Sequence, residues 1–290
     1  MSSSVSDRVK TYRADEVETQ YVEADGVRYA YRRLGPERPA DTTPVVFFHR
    51  FRGTLDDWDP AFVDALSETR DVVLFSDAGI GTSTGEFAET VEAKTRNAVA
   101  FIRALGLSKV DVLGFSMGGF SCQELALTQP DLVRKVVLIG SAGGGNPEMD
   151  PPTDIVFPIA LHPEYTFEDV RYLFFAEGRE QETQAYMDRL AVRKDREPVV
   201  PPEGIEALKN AAVSFITGES KHFERLGEIH HPVLIVSGDR DNFFPVKNQW
   251  LLFRELPNAQ LAIYPQAGHA PHQQHPEVVA GQIERFLSHT

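Results

Sequence analysis

One serine, two aspartates and one histidine carry the chemistry that this sequence can perform. Ser116 lies in the run VLGFSMGG between Gly114 and Gly118, a G-x-S-x-G pattern that closes an apolar stretch. Glycines on either side leave room for a strained turn that lifts the serine hydroxyl above a sheet edge, with the N-terminal amides of a following helix aimed at the same spot. A hydroxyl presented in this way is a candidate nucleophile. Downstream, PVLIVSGDRDNFFP offers Asp239 and Asp241 just past an apolar run, and YPQAGHAPHQQHPE places His269 just past the next one. Hydroxyl, carboxylate and imidazole are the parts of nucleophilic acyl transfer. The imidazole takes the serine proton, and the carboxylate fixes the imidazole tautomer.

Such groups need rigid elements to bring them together. Apolar runs of strand length recur at 26–35, 44–49, 71–77, 110–115, 135–141, 232–238 and 259–265. The later ones are almost uniformly apolar, as strands of a parallel sheet covered on both faces must be. Helix-period segments lie between them, one from about Glu89 to Leu105 and another opening at Pro276 with Val279, Ile283, Phe286 and Leu287 on one face. Alternation of this kind predicts a doubly wound α/β sheet, with Ser116, the Asp239/Asp241 pair and His269 each just past the carboxyl end of a different strand. The alternation fails at 146–226, where proline-rich and helix-like stretches predict a helical insertion; 18–145 and 227–290 form the core around it, and 1–17 reads as a loosely tethered polar leader.

Further motifs join the serine turn: H-x-F-x-G at 49–53, D-x-G-x-G-x-S at 77–83, G-F-S-M-G-G at 114–119, G-D-R-D at 238–241 and G-H at 268–269. With these the sequence resembles the α/β-hydrolase superfamily from about residue 20 to 288. The resemblance implies an α/β fold with a mostly parallel, doubly wound sheet of about eight strands and a helical cap inserted after strand six. It makes Ser116 the nucleophile, His269 the base and Asp241 the orienting acid, with Asp239 as the alternative acid. The Met117 amide, next after the nucleophile, is one oxyanion donor, and the resemblance assigns the second to Phe51. No cofactor is implied. Serine in the nucleophile position argues against the dehalogenase and epoxide-hydrolase branches, which use aspartate there.

The expected activity is hydrolysis of a carboxylic ester or lactone through an acyl-serine intermediate. The same triad serves carbon–carbon bond hydrolases and perhydrolase-like haloperoxidases, and a slow-turnover ligand receptor of the same fold is the reading from a different class. The oxyanion loop departs from the superfamily, which usually shows His-Gly there: Arg50 takes the glycine position and Arg52 follows. One reading makes these guanidiniums substrate contacts that grip a carboxylate or carbonyl. The other has them pair with Asp56, Asp57 or Asp59 and brace the loop.

Composition narrows the partners. A net charge of −14 opposes the field needed to hold phosphate backbones or anionic lipid heads, so neither nucleic acid nor a membrane is expected and the partner is a small ester or lactone. The start MSSSVSDRVKTYRADEVE has no apolar signal region, which reads as cytoplasmic. Cys122 is the only cysteine, which removes intramolecular disulfides and cysteine-based metal sites. His269, His272 and His275 recur every three residues, yet no carboxylate or cysteine at ligand spacing completes a metal site. His49 is expected to brace the oxyanion loop, and Asp77, Gly79 and Gly81 to form a turn network. The aromatics of the insertion, Phe157, Tyr165, Tyr172, Phe174, Phe175 and Tyr186, can serve as its own core, as a pocket wall or as both.

Overall fold

Residues 13–36, 43–218 and 221–289 are described by a computed structural model, in which eight strands form one sheet of order β1-β2-β4-β3-β5-β6-β7-β8. The strands are β1 (Gln20–Ala24), β2 (Val27–Leu34), β3 (Val45–Phe48), β4 (Val72–Phe75), β5 (Val110–Phe115), β6 (Val133–Ile139), β7 (Val233–Gly238) and β8 (Ala259–Tyr264). β1 and β2 pair antiparallel, β2 pairs antiparallel with β4, and every other neighbour is parallel. The uniformly apolar runs are explained by the two faces of the sheet. Phe47, Leu113, Phe115, Val137, Ile139 and Leu234 point into one core, while Val46, Val112, Val136, Leu138, Val233 and Ile235 point into the other.

β1 is the strand that the run pattern misses. It lies at the sheet edge, half of it facing solvent, so no continuous apolar stretch marks it. Asp25 and Gly26, both at positive φ (49° and 79°), join it to β2 in the two-residue geometry that suits a hairpin.

The helices, also in chain order, are α1 (Arg13–Glu16), α2 (Pro60–Ser67), α3 (Val91–Ala104), α4 (Met117–Thr128), α5 (Val156–Ala160), α6 (Phe167–Phe174), α7 (Glu180–Leu190), α8 (Pro202–Thr217), α9 (Val246–Glu255), α10 (Pro271–Gln274) and α11 (Pro276–Ser288). α2 and α11 pack together on one side of the sheet, and α3 and α4 on the other. α4 is buried from Met117 to Ala126 on all sides, which is why its sequence carries no polar stripe and why Cys122 sits there as an apolar filler whose thiol burial pushes well up in pKa.

Between β6 and β7 the described residues contain α5 to α8 and no strand. α8 docks on α4 through Phe215, stacked on Phe120 with ring centroids 4.2 Å apart. The loosely tethered leader expected over 1–17 needs correction where it can be seen. Residues 1–12 lie outside the described residues, but α1 is held by the Arg13 and Ala14 amides, which donate to the Asp64 carboxylate at 2.6 and 2.9 Å. No described helix is long and apolar enough to cross a membrane.

Candidate active site

Ser116 occupies the junction between β5 and α4 with φ 54° and ψ −120°, a conformation that costs a non-glycine residue about 1–3 kcal/mol. The neighbours enforce it. A Cβ on Gly118 would lie 2.0 Å from the Phe48 carbonyl oxygen, and one on Gly114 would lie 2.4 Å from the Gly118 backbone, so only glycine lets β3, β5 and α4 converge here. The Ser116 amide is anchored to the Ile139 carbonyl at 2.8 Å, leaving the side chain at the mouth of the turn, in the wall of a cavity.

His269 follows β8, and its Nδ1 lies 2.9 Å from Asp241 Oδ2, both side chains being fully enclosed. The other Asp241 oxygen accepts the amides of Phe243 and Phe244 at 2.8 and 2.9 Å. That is the turn an aspartate makes with the backbone two and three residues on, and it aims the remaining oxygen at the imidazole. Asp239 is turned elsewhere. Its side chain is 34% exposed and meets the Ala267 amide and Arg240 instead. Of the two aspartates that the residues alone left open, Asp241 is the one beside His269. Among the described residues no hydrogen bond joins the Ser116 hydroxyl to His269; such bonds are commonly long before substrate arrives.

The cavity beside Ser116 measures about 180 Å³, below the roughly 300–1,000 Å³ of sites that enclose drug-sized ligands. Phe51, Met117, Phe243 and Phe244 line it from the core, and α5 and α8 close it from above through residues such as Phe157, Leu161 and Val213. Among the described residues its polar lining consists of Ser116 and Lys209, and the Lys209 ammonium donates to Glu206 at 2.6 Å. The backbone amides of Phe51 and Met117, the two expected oxyanion donors, find no acceptor among the described residues.

The two arginines of the oxyanion loop do not line this cavity. Arg50 donates to Asp57 and to the Phe51 carbonyl, each at 2.8 Å, and lies over the Phe174 ring with 4.9 Å to its centroid. Burial opposes ionisation of Asp57, but Arg50 and the Thr54 hydrogen bonds outweigh it and hold the carboxyl below its usual range. Arg52, at φ 60°, donates to the carbonyls of Ala160, His162 and Pro163 at 3.0, 2.5 and 2.8 Å. Of the two readings of these arginines, the bracing one fits Arg50, which pairs with Asp57, whereas among the described residues Arg52 meets none of the three aspartates. Arg50 is held by its aspartate, and Arg52 gathers carbonyls at and just beyond the end of α5, that of Ala160 shared with the Tyr165 hydroxyl; these partners lie 108 or more residues on, and no local pattern announces them.

His49 Nε2 donates to the Phe75 carbonyl at 2.6 Å, and burial lowers its pKa, so it stands as a neutral brace between the loop and β4. Asp77 pairs with the buried Lys94 at the start of the 77–83 turn. His272 is caged by Trp58, Phe62 and Phe115, neither ring nitrogen finds a partner among the described residues, and burial lowers its pKa to about 3. Among the described residues no group of three or more histidines, cysteines or carboxylates converges in a way that would hold a metal ion.

Glu197, unmarked in the sequence, ties the insertion to the core. Its carboxylate accepts from the Leu55 amide, the Ser76 hydroxyl, and the Thr82 amide and hydroxyl, at 2.6–3.0 Å. Its own amide donates to Asp56 at 2.5 Å, and Asp56 is also paired with Arg32. Nothing near REPVVPPEG signals this, because every partner is more than a hundred residues away.

The chain matches the family described as alpha/beta hydrolase fold over residues 43–276. Among curated relatives, a 2-hydroxy-6-oxononadienedioate/2-hydroxy-6-oxononatrienedioate hydrolase from Paraburkholderia xenovorans (strain LB400) is 30% identical over 210 residues, 68% of this chain and 68% of its own. Among solved structures, an alpha/beta hydrolase fold protein from Chitinophaga pinensis superposes with a TM-score of 0.84 at 35% identity, covering 96% of this chain and 99% of that one. The enol-lactonase from Burkholderia xenovorans LB400 superposes with a TM-score of 0.74 over 93% and 100% of the two chains, and at 20% identity that likeness speaks for the fold.

Proposed function

The chain belongs to the alpha/beta hydrolase fold family, and from that premise we propose that it is a serine hydrolase cleaving an uncharged carboxylic ester or lactone through an acyl-Ser116 intermediate. The observation that carries this reading is the cavity beside Ser116, apolar but for the serine hydroxyl and a lysine whose charge is engaged by Glu206. An uncharged ester enters such a space without leaving a charge unpaired.

In this mechanism the Ser116 proton passes to His269 Nε2 as Oγ adds to the carbonyl carbon. Asp241 holds the opposite nitrogen, 2.9 Å away, and so fixes the tautomer and stabilises the imidazolium. The developing oxyanion is received by the Phe51 and Met117 amides, each such donor contributing about 3 kcal/mol to the transition state. His269 then protonates the leaving alkoxide. Water, deprotonated by the same imidazole, releases the acid and restores Ser116.

A second reading is favoured by the relatives, whose names describe hydrolysis of 2-hydroxy-6-oxo dienedioates. The same triad can serve carbon–carbon cleavage, but a dioate brings two carboxylates. The cations near this site are engaged: Arg50 by Asp57, Arg52 by three carbonyls and Lys209 by Glu206. The two readings separate on a direct comparison of p-nitrophenyl butyrate with a 2-hydroxy-6-oxo dienedioate. The ester should show at least roughly tenfold higher kcat/KM, since one unpaired carboxylate costs more than about 1.4 kcal/mol. A preference for the dienedioate would replace ester hydrolysis with carbon–carbon cleavage, and no steady turnover of either would favour a receptor.

A further inference from the structure

Three side chains that line the cavity also face solvent: Phe157 is 44% exposed, Leu161 42% and Val213 48%. Large apolar residues seldom stand together in water without a partner. Phe157 and Leu161 are one turn apart on and just beyond α5; Ala160 between them lines the cavity too, and Val156 is buried against the protein. On α8, Lys209, Ala212, Val213 and Ile216 present one helical face to the cavity, and the Lys209 ammonium is drawn outward to Glu206, so that only its methylene stem adds to this wall. Arg52 pins the carbonyls that follow α5, which fixes one side of the rim relative to the loop carrying Phe51. The apolar surface is thus continuous from Ser116 through a cavity too small for a long chain and out over an exposed, positioned rim.

We propose that this rim holds the distal part of the substrate's acyl chain, so that the enzyme selects esters of medium-chain acids, with Phe157, Leu161 and Val213 as the specificity-determining residues. The inference rests on the ester-hydrolase reading of Ser116. The acyl half is the occupant because it stays bonded to Ser116 between the two steps, whereas the alcohol departs after the first. A chain that outgrows the cavity meets apolar side chains on both α5 and α8, and each methylene it buries there leaves water.

The test is the ratio of kcat/KM for p-nitrophenyl octanoate to that for p-nitrophenyl acetate, taken below the micelle concentration. It should be at least about tenfold in the wild type, since a fully buried methylene contributes about fourfold. Val213→Asp and Phe157→Asp, at exposed positions where the fold tolerates a polar residue, should each lower the ratio by about fourfold or more, and Val213→Leu should keep it. Melting temperatures near that of the wild type confirm that the variants are folded. A ratio that is the same in wild type and both aspartate variants overturns the proposal. So does a rise confined to substrate above its micelle concentration, which would mark contact with a lipid surface. Because the ratio is taken within each variant, failure here leaves Ser116-dependent turnover in place, whereas failure of the underlying reading removes turnover at every chain length and overturns both.

Discussion

At Ser116 the backbone is strained at the very residue whose side chain opens on the cavity, and the strain is held by glycine on both sides. Gly118→Ala would drive a Cβ to 2.0 Å from the Phe48 carbonyl, so we expect it to lower the melting temperature and to abolish ester turnover. Wild-type turnover in that variant would show that the turn is not what presents the hydroxyl. Asp241→Asn should reduce kcat on the order of 10⁴, by analogy with other triads, and Asp239→Asn far less, as read from steady-state kinetics. The reverse ranking would move the orienting role to Asp239. Ser116 and His269 were legible in the sequence because each sits in a short local motif. The reason for Asp241 over Asp239 was not, since it lies in which carboxylate receives the Phe243 and Phe244 amides. The partners of Arg52 were invisible for a related reason: backbone carbonyls carry no sequence signature.

Among the elements, the central strands were readable because burial on both faces demands unbroken apolar runs, while β1, half of it facing solvent, offered only the Asp25-Gly26 turn as a sign. The segment between β6 and β7 was legible as a helical interruption but not in how it is fastened. Glu197 is that fastening, gathering donors from Leu55 in the connection after β3 and from Ser76 and Thr82 in the connection after β4. Glu197→Ala leaves those donors unmatched and should cost about 2–4 kcal/mol, the range for stranding a few part-buried donors. By thermal unfolding this is a fall of roughly 5–10 °C for a chain of this size. A melting temperature within about 2 °C of the wild type would mean that water replaces the carboxylate without loss. Arg52→Met should act differently. It frees the carbonyls after α5 from the oxyanion loop, so kcat/KM for octanoate should fall more than that for acetate. An equal fall on both would confine Arg52 to the loop.

For the whole molecule, the parallel sheet gathers the loops after β5, β7 and β8 at one edge, and this brings residues 116, 241 and 269 to one place from distant parts of the chain. Global stability carries a second mark of that packing. His272, caged in the core with its pKa lowered by burial to about 3, binds a proton in the unfolded chain at pH below about 6.5 and not in the folded one. Unfolded molecules therefore gain protons first, and stability falls as pH drops from about 6.5 toward 3, by about 1.4 kcal/mol per pH unit from this residue. In urea titrations at pH 7 and pH 5, His272→Phe should flatten that loss; an unchanged slope would place the acid sensitivity elsewhere. Covalent labelling tests most directly whether this fold presents Ser116 as a nucleophile. A fluorophosphonate probe should add once per chain, with mass spectrometry locating it on Ser116, and Ser116→Ala should lose both the label and p-nitrophenyl butyrate turnover. A label on another residue, or ester turnover surviving in Ser116→Ala, would contradict that role.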